Sequence, residues 1–236
     1  MIVLRSLLFA LLLAVVTTVF GCIALFIIFL DPFTRYRIIT VWSRLIMASA
    51  RVICGIRYRI LGAENIPDKP CIVMSKHQSA WETLAFQTIF PPQAYVVKKE
   101  LLRIPFFGWG LAVFSPIAID RSAGTRALKQ IEEQGIKRLK QGFWIIIFPE
   151  GTRIKPGTKG AYHPGGAWLA ARSGASVLPV ALNSGEFWGR KAFLKRPGTI
   201  TVSIGKPIDP AGMKADEINS RVETWIEHEM ARISKS

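Results

Sequence analysis

His77 is the residue whose sequence context best suits a catalytic base. It follows a short apolar run, 71-CIVMS-75, and an acidic residue, Glu82, comes five positions later. An imidazole just outside a helix N-terminus is kept neutral by the positive end of the helix dipole, and a neutral imidazole can accept a proton near pH 7. A carboxylate about one turn further on can hold one ring nitrogen and leave the other for a substrate. The spacing therefore predicts a general base with an orienting carboxylate.

The same segment also fits a purely structural role. The pattern of residues 79–90 predicts a helix, and Ser79 with Glu82 fits a capping box, with Ser79 as N-cap and Glu82 at the third helical position. In that interpretation Glu82 stabilises the helix start and His77 is an ordinary loop residue. The local sequence leaves both interpretations open, and they are compatible with each other.

Few other residues could support covalent or metal chemistry. The chain has no GxSxG sequence, and its three cysteines form neither a CxxC pair nor a zinc-ligand spacing. His163 precedes a proline, and His228 lacks the second histidine of an HExxH motif. We therefore expect a base at His77 to act on the hydroxyl group of a bound substrate, without a metal ion.

Strands and helices alternate along the chain, which predicts an α/β fold with a mixed, largely parallel sheet flanked by helices. Within it, the run 143-FWIIIF-148 predicts a strand buried on both faces. Ligands of open α/β sheets bind beyond the carboxyl ends of the strands. Polar residues cluster just after such strand ends, which predicts one site: His77, Lys98, Arg121, Glu150 and Arg153. The other predicted elements are strands at 56–62, 71–75, 95–97, 117–120, 177–182 and 199–205, and helices at 123–141, 165–173 and 216–233.

The N-terminus contains a candidate membrane segment. No charged residue occurs from Ser6 to Leu30, and this run is long enough to cross a hydrocarbon layer of about 30 Å as a helix. It is longer than the apolar part of a signal peptide and lacks a small-residue cleavage site. We therefore divide the chain into membrane-anchoring helices in residues 1–55 and a catalytic domain in residues 56–236. Whether the segment spans the membrane or lies in one leaflet as a hairpin with residues 38–54 stays open.

The charge distribution indicates a membrane surface as partner rather than nucleic acid. The formal net charge is +15, and several arginines follow directly after the apolar run, which predicts a catalytic domain on the cytoplasmic side of the inner or plasma membrane. Aromatic and basic residues cluster in 104–114 and 187–196, beside the apolar anchor. These two segments are candidates for lipid entry and membrane docking, with ordinary core packing as the alternative. No nucleic-acid-binding motif occurs in the chain.

Several motifs together carry a resemblance to a known family. His77 with Glu82 is followed in order by 98-KKELLRIPFFGWG-110, 120-DR-121, 148-FPEGTR-153 and 177-VLPVAL-182. This series resembles the motif blocks of the glycerolipid acyltransferases that make phosphatidic acid from 1-acyl-glycerol-3-phosphate, and it covers about residues 70–185. The chain departs from the family pattern at two positions: Glu82 stands where Asp is usual, and Lys76 stands where Asn is frequent.

The resemblance implies a role for each matching residue. His77 would be the general base and Glu82 its acidic partner. Glu150 would hold the glycerol hydroxyl region, and Gly151 would let the backbone turn close to the ligand. Arg153 would bind the phosphate, for which a guanidinium fork is well suited. The full set of implied substrate-binding residues is Lys98, Arg121, Glu150, Gly151, Thr152 and Arg153.

We therefore expect the chain to transfer an acyl group from acyl-CoA or acyl-carrier protein to the sn-2 hydroxyl of 1-acyl-glycerol-3-phosphate, giving phosphatidic acid for phospholipid biosynthesis. A thiol leaving group with a pKa of about 8.5 departs without a strong acid, so no cofactor is expected. The expected partners are lysophosphatidate, the acyl thioester and membrane lipids. Two alternatives remain: the same chemistry on a lyso-ornithine lipid or another lysophospholipid, and a non-catalytic protein that binds anionic lipid.

Overall fold

The sheet has seven strands, and its order places the ends of four parallel strands side by side. A computed structural model of the chain describes residues 1–234. The strand order is β1-β7-β6-β2-β5-β3-β4, and β6 with β7 is the antiparallel pair. The predicted mixed, largely parallel sheet is confirmed. The strands are β1 Ile56–Leu61, β2 Ile72–Ser75, β3 Gln93–Lys98, β4 Ile117–Ile119, β5 Trp144–Ile147, β6 Val177–Leu182 and β7 Gly198–Ile204.

Seven helices cover the two faces of the sheet in the described part of the chain. Those predicted from periodicity are present; α6 has its predicted bounds, and the ends of the others are shifted by a few residues. The short helix α4 has no counterpart in the sequence-based prediction. The helices are α1 Ile2–Ile27, α2 Pro32–Cys54, α3 Trp81–Ile89, α4 Phe107–Val113, α5 Thr125–Lys140, α6 Gly165–Ser173 and α7 Ala215–Ile233.

Strand β5 shows how the two layers of the core are built. Its side chains point alternately to opposite faces of the sheet, as in any strand. Trp144 and Ile146 pack into the cluster on the side of α1 to α3, and Ile145 and Ile147 pack into the cluster on the side of α5 to α7. All four residues are buried. The prediction of a strand buried on both faces is confirmed.

Helices α1 and α2 form a hairpin that packs against the catalytic domain. Asp31 accepts hydrogen bonds from the first free amides of α2, and Gly55, with a φ of 69°, ends that helix before β1. Near the start of α1, Phe9 packs edge-on against Trp188 at 5.1 Å between ring centroids. Near its end, Gly21 lies so close to Phe106 that a Cβ atom would clash with it. The helix therefore contacts the body of the protein at both ends.

The outer face of this hairpin is apolar and open. Helix α1 has 26 residues and is the one helix in residues 1–234 that is long and apolar enough to cross a membrane. On α2 the exposed apolar residues are Val41, Leu45 and Val52. The inner face shares its core cluster with the sheet, and the division of the chain at residue 55 stays a prediction. The exposed apolar residues of α1 are Ile2, Val3, Leu4, Leu7, Leu8, Leu11, Val15, Val19, Leu25 and Phe26.

Candidate active site

The main chain of His77 is held on both sides by the loop that follows β5. The backbone N–H of His77 donates to Oε2 of Glu150 at 3.1 Å, and its carbonyl accepts from the N–H of Ile154 at 2.7 Å. The imidazole lies parallel to the ring of Phe148, with centroids 3.9 Å apart. The side chain of His77 is 13% exposed. It therefore reaches the surface of the site, while its contact with Phe148 fixes the position of the ring.

Glu82 holds the ring of His77, as the sequence predicts. Its Oε1 lies 2.8 Å from Nδ1 of His77 and accepts the backbone N–H groups of Gln78 and Ser79, each at 2.7 Å. Its Oε2 accepts the hydroxyls of Ser79 at 2.8 Å and of Ser184 at 2.7 Å. With Nδ1–H donating to the carboxylate, Nε2 is left as an acceptor.

These contacts keep Glu82 ionised although it is fully buried. Burial alone would raise the pKa of Glu82, but the hydrogen bond and charge of His77, with the hydrogen bonds from Ser79 and Ser184, outweigh it and hold that pKa below its ordinary value of 4.5. A negative charge therefore lies beside Nδ1 of His77 throughout the neutral pH range.

The predicted capping box is wrong in its register. Helix α3 begins at Trp81 with Ala80 as N-cap, so Glu82 is the second helical residue rather than the third. Ser79 still accepts the N–H of Trp81 at 2.8 Å and donates its own N–H to Glu82. The shift arises because residues 78 and 79 wrap round the carboxylate before the helix starts. Glu82 therefore serves the helix start and His77 with the same carboxylate.

Three cations line the same cavity as His77: Lys98, Arg121 and Arg153. Lys98 and Arg153 form no ion pair within residues 1–234. The guanidinium of Arg121 donates to the carbonyl of Gly151, and burial lowers the pKa of Arg121 from its ordinary value. The strands β2, β3, β4 and β5 thus bring together the predicted base and the predicted phosphate-binding cations.

Apart from Phe148 and Arg153, the residues of the FPEGTR segment do not line the cavity. Gly151 has a φ of 65° and provides the predicted turn, with the ring of His163 3.2 Å from where its Cβ would lie. Thr152 is exposed. The side chain of Glu150 is closed to solvent and pairs with Lys76 at 2.7 Å. The structure therefore places Glu150 behind His77, away from the space where the resemblance would have it touch the glycerol hydroxyls.

Below His77 lies an apolar cavity of about 180 Å³. Helix α3 and strand β3 form one side of it, and the hairpin and the 104–114 segment form the other. Trp42 donates from its indole nitrogen to the hydroxyl of Thr17 at 3.1 Å, which ties α2 to α1 beside the cavity. Its apolar and small lining residues from outside the sheet are Phe20, Gly21, Ile39, Leu84, Leu101, Phe106, Phe107, Gly110, Leu111 and Phe114.

Sequence reasoning missed two features of this site. Ser184 contacts Glu82 from a position 102 residues further along the chain, and no motif marks it. The hairpin residues that line the cavity lie in residues 1–55, for which the sequence predicts only a membrane anchor. The aromatic segment 104–114, expected to serve lipid entry or core packing, contributes both cavity wall and exposed residues such as Trp109.

An α/β sheet with a His–carboxylate pair, a group of cations and an apolar cavity at one edge suits a transferase that acts on an anionic lipid. Residues 57–183 match the Acyltransferase family. The chain belongs to this family and, within it, to the 1-acyl-sn-glycerol-3-phosphate acyltransferases.

Two relatives and one solved structure support this assignment. The chain is 47% identical over 235 residues to the 1-acyl-sn-glycerol-3-phosphate acyltransferase of Pseudomonas aeruginosa, covering 98% of this chain and 91% of that one. It is 30% identical over 184 residues to the enzyme of that name from Saccharomyces cerevisiae, covering 73% and 58%. The crystal structure of the 1-acyl-sn-glycerophosphate acyltransferase PlsC from Thermotoga maritima superposes with a TM-score of 0.78 and 26% identity, covering 100% of this chain and 98% of that one.

Proposed function

We propose that the chain transfers an acyl group from acyl-CoA or acyl-carrier protein to the sn-2 hydroxyl of 1-acyl-glycerol-3-phosphate, giving phosphatidic acid for phospholipid biosynthesis. The observation that carries the proposal is the His77–Glu82 pair at 2.8 Å, at the mouth of an apolar cavity lined by unpaired cations. The acceptor is inferred from the names of the relatives. The role of His77 as a base is inferred from its contact with Glu82.

The reaction is direct transfer without an acyl-enzyme. Nε2 of His77 takes the proton of the sn-2 hydroxyl as its oxygen attacks the thioester carbonyl carbon. The tetrahedral intermediate collapses with cleavage of the C–S bond, and the thiolate takes the proton from the imidazolium. Glu82 stabilises the positive charge on His77 between these steps. In this mechanism the protein accepts a proton at Nε2 of His77 and returns the same proton to the leaving thiolate.

The cations bind the phosphate of the acceptor. Arg153 and Lys98 line the cavity and have no carboxylate partner among residues 1–234, so their charge is available for a dianion. Arg121 adds a third positive charge across the loop of Gly151. Binding the phosphate at this edge of the site places the neighbouring glycerol hydroxyl near His77.

The apolar cavity binds the acyl chain that is being transferred. A carbonyl carbon under attack beside His77 carries its chain from that point, and the cavity opens there. Burial of each methylene of the chain contributes about 0.8 kcal/mol, which favours a chain that fills the space between the hairpin and α3.

The hairpin anchors the protein in one leaflet of the membrane, with the site on the cytoplasmic side. Helix α1 contacts the body at Ser6, which accepts the N–H of Lys195 at 2.9 Å, and again at Gly21. A helix that lies along the domain at both ends cannot also cross to the far side of a bilayer. The exposed apolar face of α1 and α2 therefore enters the near leaflet, with neighbouring arginines at the level of the lipid headgroups.

The test is an acyl-transfer assay with purified protein in detergent or vesicles. Labelled acyl-CoA and acyl-carrier protein are offered with lysophosphatidate, a lyso-ornithine lipid and other lysophospholipids, and the products are separated. We expect fastest transfer to lysophosphatidate, loss of transfer in His77→Ala, and none of that loss in the matched control His228→Ala on α7. Faster transfer to another lyso-lipid, or a His77→Ala variant as active as wild type, would contradict the proposal.

A further inference from the structure

Lys76 is a buried cation that the reaction just described does not use. It is 1% exposed, although it immediately precedes the predicted base. A buried lysine is costly unless it is paired and hydrogen-bonded. Its position behind the site, rather than in the cavity, indicates a task other than binding substrate.

Lys76 lies between two carboxylates from distant parts of the chain. Its Nζ is 2.7 Å from Oε1 of Glu150 and 2.8 Å from Oε1 of Glu227 on α7. Glu227 also accepts the hydroxyl of Tyr162 at 2.8 Å. The Glu150 side chain has no exposed surface, whereas that of Glu227 is 24% exposed. Glu150 is therefore the carboxylate that depends most on Lys76 for its charge compensation.

Glu150, which is paired with Lys76, is also bonded to the backbone of His77. Its Oε2 accepts the backbone N–H of His77 at 3.1 Å, and its Oε1 accepts the N–H of Gly160 at 3.3 Å. One carboxylate thus ties the backbone of the base to the loop before α6. We propose that Lys76 is a positioning residue, which keeps Glu150 as a paired carboxylate so that Glu150 holds the backbone of His77 in place for catalysis, and which joins α7 to the active site through Glu227.

The proposal rests on the proposed function only in that His77 must act as a base. Other charged and titratable groups face Glu150 or its immediate neighbours from each surrounding element. They are Lys76 and His77 after β2, Arg121 after β4, Tyr162 and His163 before α6, and Glu227 on α7. Of these, Lys76 is the cation in direct contact with its carboxylate.

Substitution of Lys76→Met tests this role because methionine has a similar length and no charge. Without this cation, the fully buried carboxylate of Glu150 loses its charge compensation, and its hydrogen bond to the backbone N–H of His77 is disturbed. We expect kcat to fall by about tenfold or more. KM for the acceptor is expected to stay within about threefold, because Lys76 does not contact the substrate.

A rescue variant separates positioning from damage to the fold. In the double variant Lys76→Met with Glu150→Gln, the fully buried position 150 carries no charge, and the amide oxygen can still accept from His77. We expect this double variant to recover most of the lost kcat. The matched control is Lys159→Met, which removes a more exposed ion pair between the same loop and α7, that of Lys159 with Glu223 at 2.6 Å. We expect that control to leave kcat and KM unchanged.

Two results would overturn the proposal. The first is a folded Lys76→Met variant with wild-type kcat, and the second is a double variant no more active than the single one. If Lys76→Met alone does not fold, two double variants are compared. Lys76→Met with Glu150→Gln keeps the hydrogen-bond acceptor for His77, and Lys76→Met with Glu150→Met removes it. Higher activity with Gln supports positioning of His77, and equal activity refutes it. All variants are assayed on the lyso-lipid that the wild type acylates fastest, so an error in the proposed acceptor does not affect the outcome.

Discussion

Replacement of Glu82 by Gln isolates the charge of the carboxylate from its geometry. The amide oxygen can take the place of Oε1 and accept from His77, Gln78 and Ser79, as the carboxylate does. The amide nitrogen then faces the hydroxyls of Ser79 and Ser184, which can rotate to accept instead of donate. The ring of His77 should therefore keep its orientation while its negative partner is lost.

The expected loss follows from the 2.8 Å contact between Glu82 and His77. Unit charges about 4 Å apart interact by about 4 kcal/mol at an effective dielectric constant of about 20. A neutral amide dipole retains part of this, so about 3 kcal/mol of imidazolium stabilisation is lost, which corresponds to about 10²-fold in kcat. KM for both substrates should change little, because Glu82 is buried beneath the ring and does not line the cavity.

The assay compares kcat and KM of wild type and Glu82→Gln on lysophosphatidate and acyl-CoA, with folding checked by thermal unfolding. Glu229→Gln is the matched control, since Glu229 is 5% exposed and bonded to Ser203 and Arg232 away from the site. We expect the control to keep its kcat. If Glu82→Gln turns over at nearly the wild-type rate, while His77→Ala does not, Glu82 is only a structural element of the helix start and the electrostatic reasoning is refuted.

Four further results are expected. Ser184→Ala removes one hydrogen bond to Glu82 and should lower kcat by about tenfold without changing KM, since a hydrogen bond to a charged group contributes about 1.5–3 kcal/mol; an unchanged kcat would contradict this. Because the pKa of Glu82 is lowered in the folded state, its stabilising effect is present above its ordinary value of 4.5 and is lost as the pH falls through the folded-state pKa. The difference in unfolding free energy between wild type and Glu82→Gln should accordingly shrink in acid, and a constant difference in denaturant titrations would refute it. Arg153→Lys should raise KM for lysophosphatidate by about tenfold more than for a lyso-lipid without a phosphate monoester, since the bidentate fork is lost; equal effects on both would argue against phosphate binding. Phe193→Ser with Leu194→Ser removes two exposed apolar side chains and should weaken sedimentation with anionic vesicles while leaving kcat in detergent unchanged; undiminished vesicle binding would exclude this loop from docking.

Elements with a clear hydrophobic period could be predicted from the sequence. The helix at 165–173 and the strand at 177–182 have their predicted bounds, because each is buried in a simple pattern and ends at a Gly or polar residue. Helix α4 could not be predicted, since seven residues with two glycines have little helical propensity of their own. It forms where the chain packs against α1, which is a tertiary effect.

The site was predictable in its residues and less so in their orientations. The pairing of His77 with Glu82 follows from their spacing, and the cations follow from strand ends. The direction of the Glu150 side chain does not, because a carboxylate in a turn can face either the ligand or a buried cation. Contact between Ser184 and Glu82 depends on β6 lying next to β2, and no local pattern encodes which strands are neighbours.

The α1–α2 hairpin, which we propose as the membrane anchor, also forms one wall of the apolar cavity. A shortened chain that began at β1 would keep His77, Glu82 and the three cations of the site. It would lack the lining residues of the hairpin, which are Thr17, Phe20, Gly21, Ile39 and Trp42. In such a fragment the cavity would lack one wall, and we expect it to discriminate poorly between acyl chains of different length. If the cavity binds the acyl chain as we propose, selectivity for fatty acids depends on the hairpin, and lipids that shift the hairpin should alter which chains are transferred.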